Sequence, residues 1–358
     1  MASNLNLTTG SVFAGNPITF QVMPEVLTNP TFHRVMVDVT CALNSDTEYS
    51  TIQLSVPVVT EGEAVEFDVS SALRVPFDAY EYSAAMDDDD YDKEGDTKKF
   101  PWVKWQISCC DEYMDSNGAL YTNVNRVYFP GEETYYRAIA GGFTDMERLY
   151  PGGETRGVQS LTRKPTSTPQ LAAVGEQLTY AVAYAEEQKI AESGALEQPA
   201  SKTTSITAEG AQEVGGVSVY ALPAASAALR TEFRFINSRG VMESISVPRA
   251  YKKSFSHGST SYAKAVQETF NKFSRSSVQK TNNKEAWLFT TDPLNEDWLH
   301  WYLHEFLMSE NVWIKVNGHW LYCVVTIDDS VDFYDKTGGQ MFYLGFTATL
   351  DINGSPYM

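Results

Sequence analysis

The fold is decided by the stretch Val312-Trp313-Ile314-Lys315-Val316-Asn317-Gly318-His319-Trp320-Leu321. Asn-Gly between two apolar runs is the strongest short-range signal of a β-hairpin, because a type I′ turn needs positive φ at both central residues. The pattern therefore predicts a hairpin with strands over residues 312–316 and 319–327. A further alternating segment, residues 341–352, predicts a last strand beside it.

The residues before this hairpin predict a helix. Asp292 is the expected N-cap, and Pro293 stands at the first helical position, where its missing N–H costs nothing. Apolar residues then recur at helical spacing: Leu294, Trp298, Leu299, Trp301, Tyr302, Leu303 and Phe306. The prediction is a helix over residues 293–309, and residues 285–352 form one unit of strand, helix, hairpin and strand.

Residues 1–150 read as all-β. Short alternating segments separated by turn residues are typical of a sandwich, and they cover residues 18–23, 34–43, 50–58, 64–69, 102–109, 123–129 and 134–143. We therefore expect a seven-strand, Ig-like β-sandwich in which each strand buries one face. Residues 70–73 are expected to begin one helical turn.

Residues 151–228 differ in composition, being rich in Ala, Gly, Ser, Thr and Glu and poor in aromatics. Too few large apolar groups are present for a core of their own. Two interpretations carry equal weight: an arm or insertion that orders against neighbouring chains, or a disordered linker. Residues 179–191 also have a helical pattern.

From residue 229 to 358 the sequence predicts an α+β domain. Residues 232–237 and 241–248 flank Ser238-Arg239-Gly240 as a second hairpin, and residues 262–273 fit either a helix or a twisted strand. The fold class predicted for the whole chain is mainly β, with the N-terminal sandwich and the C-terminal α+β domain joined by the Ala/Gly/Ser-rich arm or insertion.

The charge is strongly acidic. Asp and Glu number 46 against 27 Lys and Arg, which gives a formal net charge of −19. Such a surface repels phosphate backbones, so we expect no nucleic-acid partner; the basic clusters seen are short, such as Arg249 with Lys252 and Lys253. Residues 1–10 lack the pattern of a secretory signal, and no run reaches the ~18 apolar residues of a membrane helix. We expect no membrane partner.

The four cysteines, Cys41, Cys109, Cys110 and Cys323, show no CxxC spacing. Neither a zinc site nor a disulfide framework is indicated. Cys109 and Cys110 are expected on opposite faces of one strand. We interpret all four as buried free thiols of a protein in a reduced compartment.

Two acidic clusters invite a functional interpretation. In residues 87–96, Asp90, Asp92, Glu94 and Gly95 match the first positions of an EF-hand loop, but Pro101 occupies the position that requires a bidentate Glu. A solvated loop is preferred, with a different calcium site left open. The second cluster, Asp328, Asp329, Asp332 and Asp335, has carboxylates suited to acid–base catalysis on a glycoside. A polar hairpin loop is the preferred interpretation.

His300 and His304 form an i, i+4 pair with Glu305 beside them. The metalloprotease motif needs Glu directly after the first His, where this chain has Trp301. We interpret the pair as the polar edge of a half-buried helix. GxSxG, Walker A and GxGxxG motifs are also missing from the sequence. No catalytic, cofactor-binding or metal-binding residue is therefore predicted, and no cofactor.

Three patterns carry a resemblance to a known group of proteins. They are residues 11–20 with 65–73, residues 233–245, and the helix end at Met308-Ser309 followed by Val312-Trp313-Ile314. In this order they resemble uncharacterised virion proteins of tailed bacteriophages and of prophages from gut bacteria. The resemblance implies a part of the tail or its adaptor apparatus, made in the host cytoplasm and located in the virion. It brings no catalytic residues.

The expected function is a non-enzymatic structural subunit of a tailed-phage virion, in the tail, connector or baseplate region. Its expected partners are other copies of itself and other virion proteins, in a symmetric homo-oligomer. The alternative is a receptor- or carbohydrate-binding module of a phage fibre or cell surface, with Tyr and Trp as stacking platforms. We expect Trp102, Trp105, Trp298 and Trp301 to be core residues instead, because they lie in periodic segments. A glycan hydrolase that uses the second acidic cluster is the third hypothesis.

Overall fold

The computed structural model describes residues 3–5, 11–28, 30–43, 48–78, 80, 82, 97–123, 126–129, 135–141, 164–165, 168–181, 199–264, 275–327 and 341–351. Strands dominate this part of the chain, and most pair antiparallel, so the predicted mainly β class is confirmed. Both acidic clusters singled out in the sequence, residues 87–96 and 328–335, lie outside the described residues.

The N-terminal strands form two sheets. The first has three strands in the order β1-β3-β6: β1 (Ser3–Leu5), β3 (Thr19–Val22) and β6 (Val65–Asp68). The second has the order β2-β11-β8-β4-β5, with β9 and β10 also paired to β8. Its strands are β2 (Ser11–Phe13), β4 (Phe32–Leu43), β5 (Ser50–Pro57), β8 (Trp102–Met114), β9 (Leu120–Thr122), β10 (Val127–Phe129) and β11 (Tyr136–Ile139).

The two sheets share one hydrophobic core. Alternate residues of β4 and β8 meet Phe20 and Phe67 of the smaller sheet, whose rings stack 5.4 Å apart. Helix α1 (Ser70–Asp78) buries Leu73 and Phe77 against the same core, and it continues well beyond the single turn expected from the sequence. Burial of alternate residues is the reason why strand periodicity was readable here.

Residues 170–222 form five strands: β12 (Gln170–Ala173), β13 (Gln177–Ala181), β14 (Ala200–Ser205), β15 (Gly210–Val214) and β16 (Val217–Leu222). Strand β14 pairs with β7 (Thr97–Lys99), so this segment hydrogen-bonds to the N-terminal region. The predicted helix over residues 179–191 is wrong at Thr179–Ala181, which belong to β13, and its other residues lie outside the described part.

The expectation that this segment cannot bury a core was also wrong. Seven buried residues from it form one cluster: Ala172, Leu178, Tyr180, Ile206, Val217, Val219 and Ala221. Small residues allow the two sheets of this segment to pack closely face to face, so a few large side chains fill the space between them. Serine and threonine hydroxyls then attach the segment to the C-terminal sheet, as where Ser201 Oγ donates to the carbonyl of Met242 at 2.6 Å.

The C-terminal region is one seven-stranded sheet in the order β18-β17-β21-β22-β23-β20-β19. A 3₁₀ helix (Ala224–Leu229) leads into it, and its strands are β17 (Arg230–Ile236), β18 (Met242–Pro248), β19 (Lys252–Lys264), β20 (Arg275–Thr290), β21 (Val312–Val316), β22 (His319–Thr326) and β23 (Gly345–Asp351). Asn317 and Gly318 have φ of 52° and 86°, which confirms the predicted hairpin and its turn. The hairpin of β17 and β18 is confirmed too.

The predicted helix over residues 293–309 begins later than expected. The N-cap is Asn295, whose side chain accepts from Trp298 N; α2 spans Glu296–Trp301, and a π-helix follows over Tyr302–Phe306. Leu294 is not helical because its N–H and C=O both bond Phe342, at 2.8 and 2.7 Å. Asp292, the expected N-cap, pairs instead with Arg230 at 2.7 Å.

Candidate functional site

A turn of the C-terminal sheet docks into the N-terminal region. The side chain of Asn237 accepts from the N–H groups of Arg239 and Val241, which shapes the turn between β17 and β18. Gly141 (φ 82°) packs against this turn so closely that a Cβ there would lie 1.8 Å from the carbonyl oxygen of Ser238. The Arg239 guanidinium lies over the ring of Phe13, 4.7 Å from its centroid. Backbone therefore meets backbone at this junction.

Glu305 secures the turn from the C-terminal side. Its carboxylate is almost fully buried and accepts from Ser238 N at 2.7 Å and from Ser238 Oγ at 2.9 Å. Hydrogen bonds from a backbone N–H and a hydroxyl satisfy a buried carboxylate. Glu305 thus acts as a structural acceptor, and the helical segment holds the turn in place.

A groove of about 1050 Å³ runs along this junction. Arg74 and Glu305 are on its wall, with Asp78, Tyr80, His304 and Glu310. Arg74 donates to the carbonyls of Ala14 and Gly15, at 3.2 and 3.0 Å. Because Arg74 and Glu305 both bond groups of the junction itself, these two ionisable side chains serve cohesion between the two regions.

The histidine pair lies at the helix surface, as expected. The rings of His300 and His304 stack in parallel, with their centroids 6.0 Å apart. On the exposed side of the helix, His300 Nε2 lies 3.8 Å from Glu296 Oε1. Glu305 points to Ser238 instead. Within the described residues, no group of three or more His, Cys, Asp or Glu side chains is arranged to hold a metal ion.

The cysteines and tryptophans lie in the core. All four thiols are free and buried, and burial raises the pKa of Cys41 to about 11 and that of Cys323 to about 12. Cys109 packs in the shared core, whereas Cys110 is buried on the other face of β8. Trp105, Trp298 and Trp301 are buried, as predicted, and Trp102 is half-buried.

A second polar cluster, which the sequence analysis missed, surrounds His33. The imidazole is buried, with Nδ1 2.8 Å from Glu61 Oε1 and Nε2 3.4 Å from Asp111 Oδ1. The carboxylates also accept backbone N–H groups, Glu61 from Leu27 and Asp111 from Glu25. Burial raises the pKa of Asp111, in spite of its hydrogen bonds. These bonds fasten the loops at residues 23–28 and 58–63 to the ends of β4 and β8.

The most distinctive surface element is the hairpin of β19 and β20. Within the described residues, strand β20 pairs with β23 over Lys284–Thr290 and with β19 as far as Arg275. Seven registered pairs, from Gly258↔Thr281 to Lys264↔Arg275, lie beyond Lys284↔Asp351, the last described pair with β23. At ~3.4 Å per residue this distal part extends about 20 Å. The register is irregular between Ser256 and Gly258, where the hairpin leaves the sheet.

The hairpin is basic. Three lysines lie on β19 (Lys252, Lys253, Lys264), and two lysines and an arginine on β20 (Arg275, Lys280, Lys284), with Glu285 as the acidic residue of the pair. In the sequence these residues look like scattered short clusters. A tally of charge over residues 249–284 would have found the excess, but only the strand pairing shows that both halves belong to one element.

Strand β5 stands at one end of the seven-stranded N-terminal sheet. In the part of the chain that the structure describes, β5 pairs with β4 alone. Its eight residues, Ser50–Pro57, include no charged side chain. Edge strands commonly carry a charge that prevents pairing with another chain, so an uncharged edge favours strand addition.

Comparison with known proteins gives no match, either to a model of a protein family or to a curated protein. No helix in the described ranges has both the length and the apolar character to cross a membrane.

Proposed function

We propose that this protein is a non-enzymatic structural subunit of a tailed-phage virion, in its tail, connector or baseplate region, which assembles through protein–protein contacts into a symmetric homo-oligomer. The observation that carries the assembly role is the distal half of the β19–β20 hairpin. An isolated two-stranded hairpin is only marginally stable in water. Seven residue pairs of this hairpin lie beyond the sheet as far as the described residues show, and in this proposal a neighbouring subunit supplies the surface on which they pack.

The remaining support is of two kinds. The virion assignment rests on the resemblance of the three sequence patterns, and the virion location with it. The uncharged edge of β5 and the free, buried thiols fit a subunit made in a reducing cytoplasm and assembled by strand contacts. In this proposal residues 1–150 are an Ig-like sandwich and residues 229–358 an α+β domain, with the segment between them interleaved with both.

The experiment is light scattering coupled to size-exclusion chromatography over a range of protein concentrations. We expect a discrete oligomer of defined stoichiometry, visible as a closed ring or particle by electron microscopy. A strictly monomeric protein at all concentrations, and absent from isolated phage particles, would contradict the proposal.

A further inference from the structure

We propose that the basic β19–β20 hairpin is an assembly arm that docks on the acidic body of a second copy of this chain. The inference rests on the proposed assembly function and names its partner. It depends on the charge and the placement of the two strands, Lys252–Lys264 and Arg275–Thr290.

The first argument is charge complementarity. The two strands have six basic residues and one acidic residue, a net charge of +5, while the whole chain has −19, so the remainder has −24. The basic hairpin of one copy and the acidic surface of another are complementary, and this local attraction fixes the orientation in which the two copies meet.

The second argument is distance. At physiological ionic strength charges are screened over about 8 Å. The distal pairs, with Lys264, Arg275 and Lys280 on them, extend about 20 Å beyond Lys284↔Asp351, the last described pair with β23. At that screening length, an acidic surface neutralises the distal charges when it is in contact with the strands, and the body of a neighbouring copy offers such a surface.

The third argument concerns the kind of partner. Nucleic acid would neutralise the same charges through its phosphates, so apolar contacts must distinguish the two kinds of partner. The hairpin sequence also includes apolar residues such as Tyr262 and Val278 on the paired strands. A two-stranded hairpin gains stability by burying apolar groups on a protein surface, which a phosphate backbone does not offer.

The test compares two triple variants of the full chain. The first, Lys264→Glu, Arg275→Glu and Lys280→Glu, reverses the distal charges. The matched control, Lys264→Arg, Arg275→Lys and Lys280→Arg, changes the same side chains and keeps their charge. Sedimentation analysis at about 50 and 500 mM NaCl gives the dissociation constant of the oligomer. Circular dichroism verifies that both variants are folded.

We expect the reversal to raise the dissociation constant on the order of 100-fold, and the control by less than about 3-fold. For the unmodified chain, the higher salt should also weaken association. A second readout needs no variant. When ¹⁵N- and ¹⁴N-labelled copies are mixed and treated with a carbodiimide, we expect cross-links between hairpin lysines of one copy and carboxylates of the other.

Two results overturn the inference. If the reversal variant assembles as tightly as the control, the hairpin is not the arm, although the assembly function survives. If the unmodified chain retains duplex or single-stranded DNA on a filter through the hairpin charges, and assembles independently of them, nucleic acid is the partner. A chain that is monomeric throughout contradicts both the inference and the proposed function.

Discussion

At Gly141 the junction has no room for a side chain, because a Cβ there would lie 1.8 Å from the Ser238 carbonyl oxygen. Gly118 is a matched control with φ of 81°, close to the 82° of Gly141, and open space around it. We expect Gly118→Ala to cost about 1 kcal/mol from backbone strain alone. Gly141→Ala should cost roughly 3 kcal/mol or more, since backbone atoms must move apart.

Urea denaturation followed by tryptophan fluorescence measures this difference, because buried tryptophans lie on both sides of the junction. Equal shifts of the two unfolding midpoints would show that the turn and Gly141 are not in contact.

Asp68 gives the fold a pH dependence. Burial raises the pKa of its carboxyl, but the N–H groups of Ser70 and Ile18 and the charge of Arg74 outweigh burial and hold it below the ordinary value. A carboxyl with a lowered folded-state pKa stabilises the fold above its unfolded pKa, near 4, and loses that contribution as the pH falls through the folded value.

We therefore expect Asp68→Asn to destabilise the protein by about 1 kcal/mol at pH 6 and by less at pH 3. Paired urea titrations of the protein and the variant at the two pH values measure the change. A difference that grows toward pH 3 would reverse the assigned sign.

At the scale of elements, the start of α2 shows how two neighbouring polar residues divide their roles. Asn295 caps the helix through Trp298 N at 3.0 Å, and its amide also donates to Thr168 Oγ1 at 3.1 Å. Asn295→Ala removes the cap and should lower the free energy of unfolding by about 1 kcal/mol. Asn295→Asp retains the acceptor and should lower it by less. Thermal unfolding of the two variants compares them.

Asp292→Ala tests the other role. It breaks the pair with Arg230, whose side chain is 5% exposed, and leaves that cation partly unpaired. We expect this loss of stability to be smaller at high than at low ionic strength, because salt screens the ion pair, whereas the loss in Asn295→Ala should not change. Urea denaturation of both variants at the two salt concentrations measures this, and identical salt dependence would indicate that Asp292 contributes to the cap after all.

At the scale of the whole molecule, the regions depend on one another. Ile236, Val241, Met242 and Trp313 of the C-terminal sheet pack in one cluster with Phe13 and Phe100. A fragment of residues 229–358 would expose this apolar face. We expect the fragment to bind the dye ANS and to aggregate, while the full chain does neither.

Size-exclusion chromatography and dye fluorescence on equal concentrations of fragment and full chain provide the comparison. A monomeric fragment without dye binding would show that the C-terminal sheet is self-sufficient and that the junction adds little to its stability.

The sequence alone determined the mainly β class, most of the strands and the Asn317-Gly318 hairpin, because side-chain alternation and turn chemistry are local properties. It also predicted that the four cysteines and Trp105, Trp298 and Trp301 are buried, whereas Trp102, expected in the core as well, is half-buried. Only the tertiary structure decided that Leu294 pairs with Phe342, so that the helix begins after it. The same holds for residues 170–222, which form strands with their own core. The tertiary structure also showed that lysines distant in the sequence lie on one hairpin, which is basic. Each of these depends on partners distant in the chain, and local periodicity contains no information on which partner a backbone group or a charge will meet.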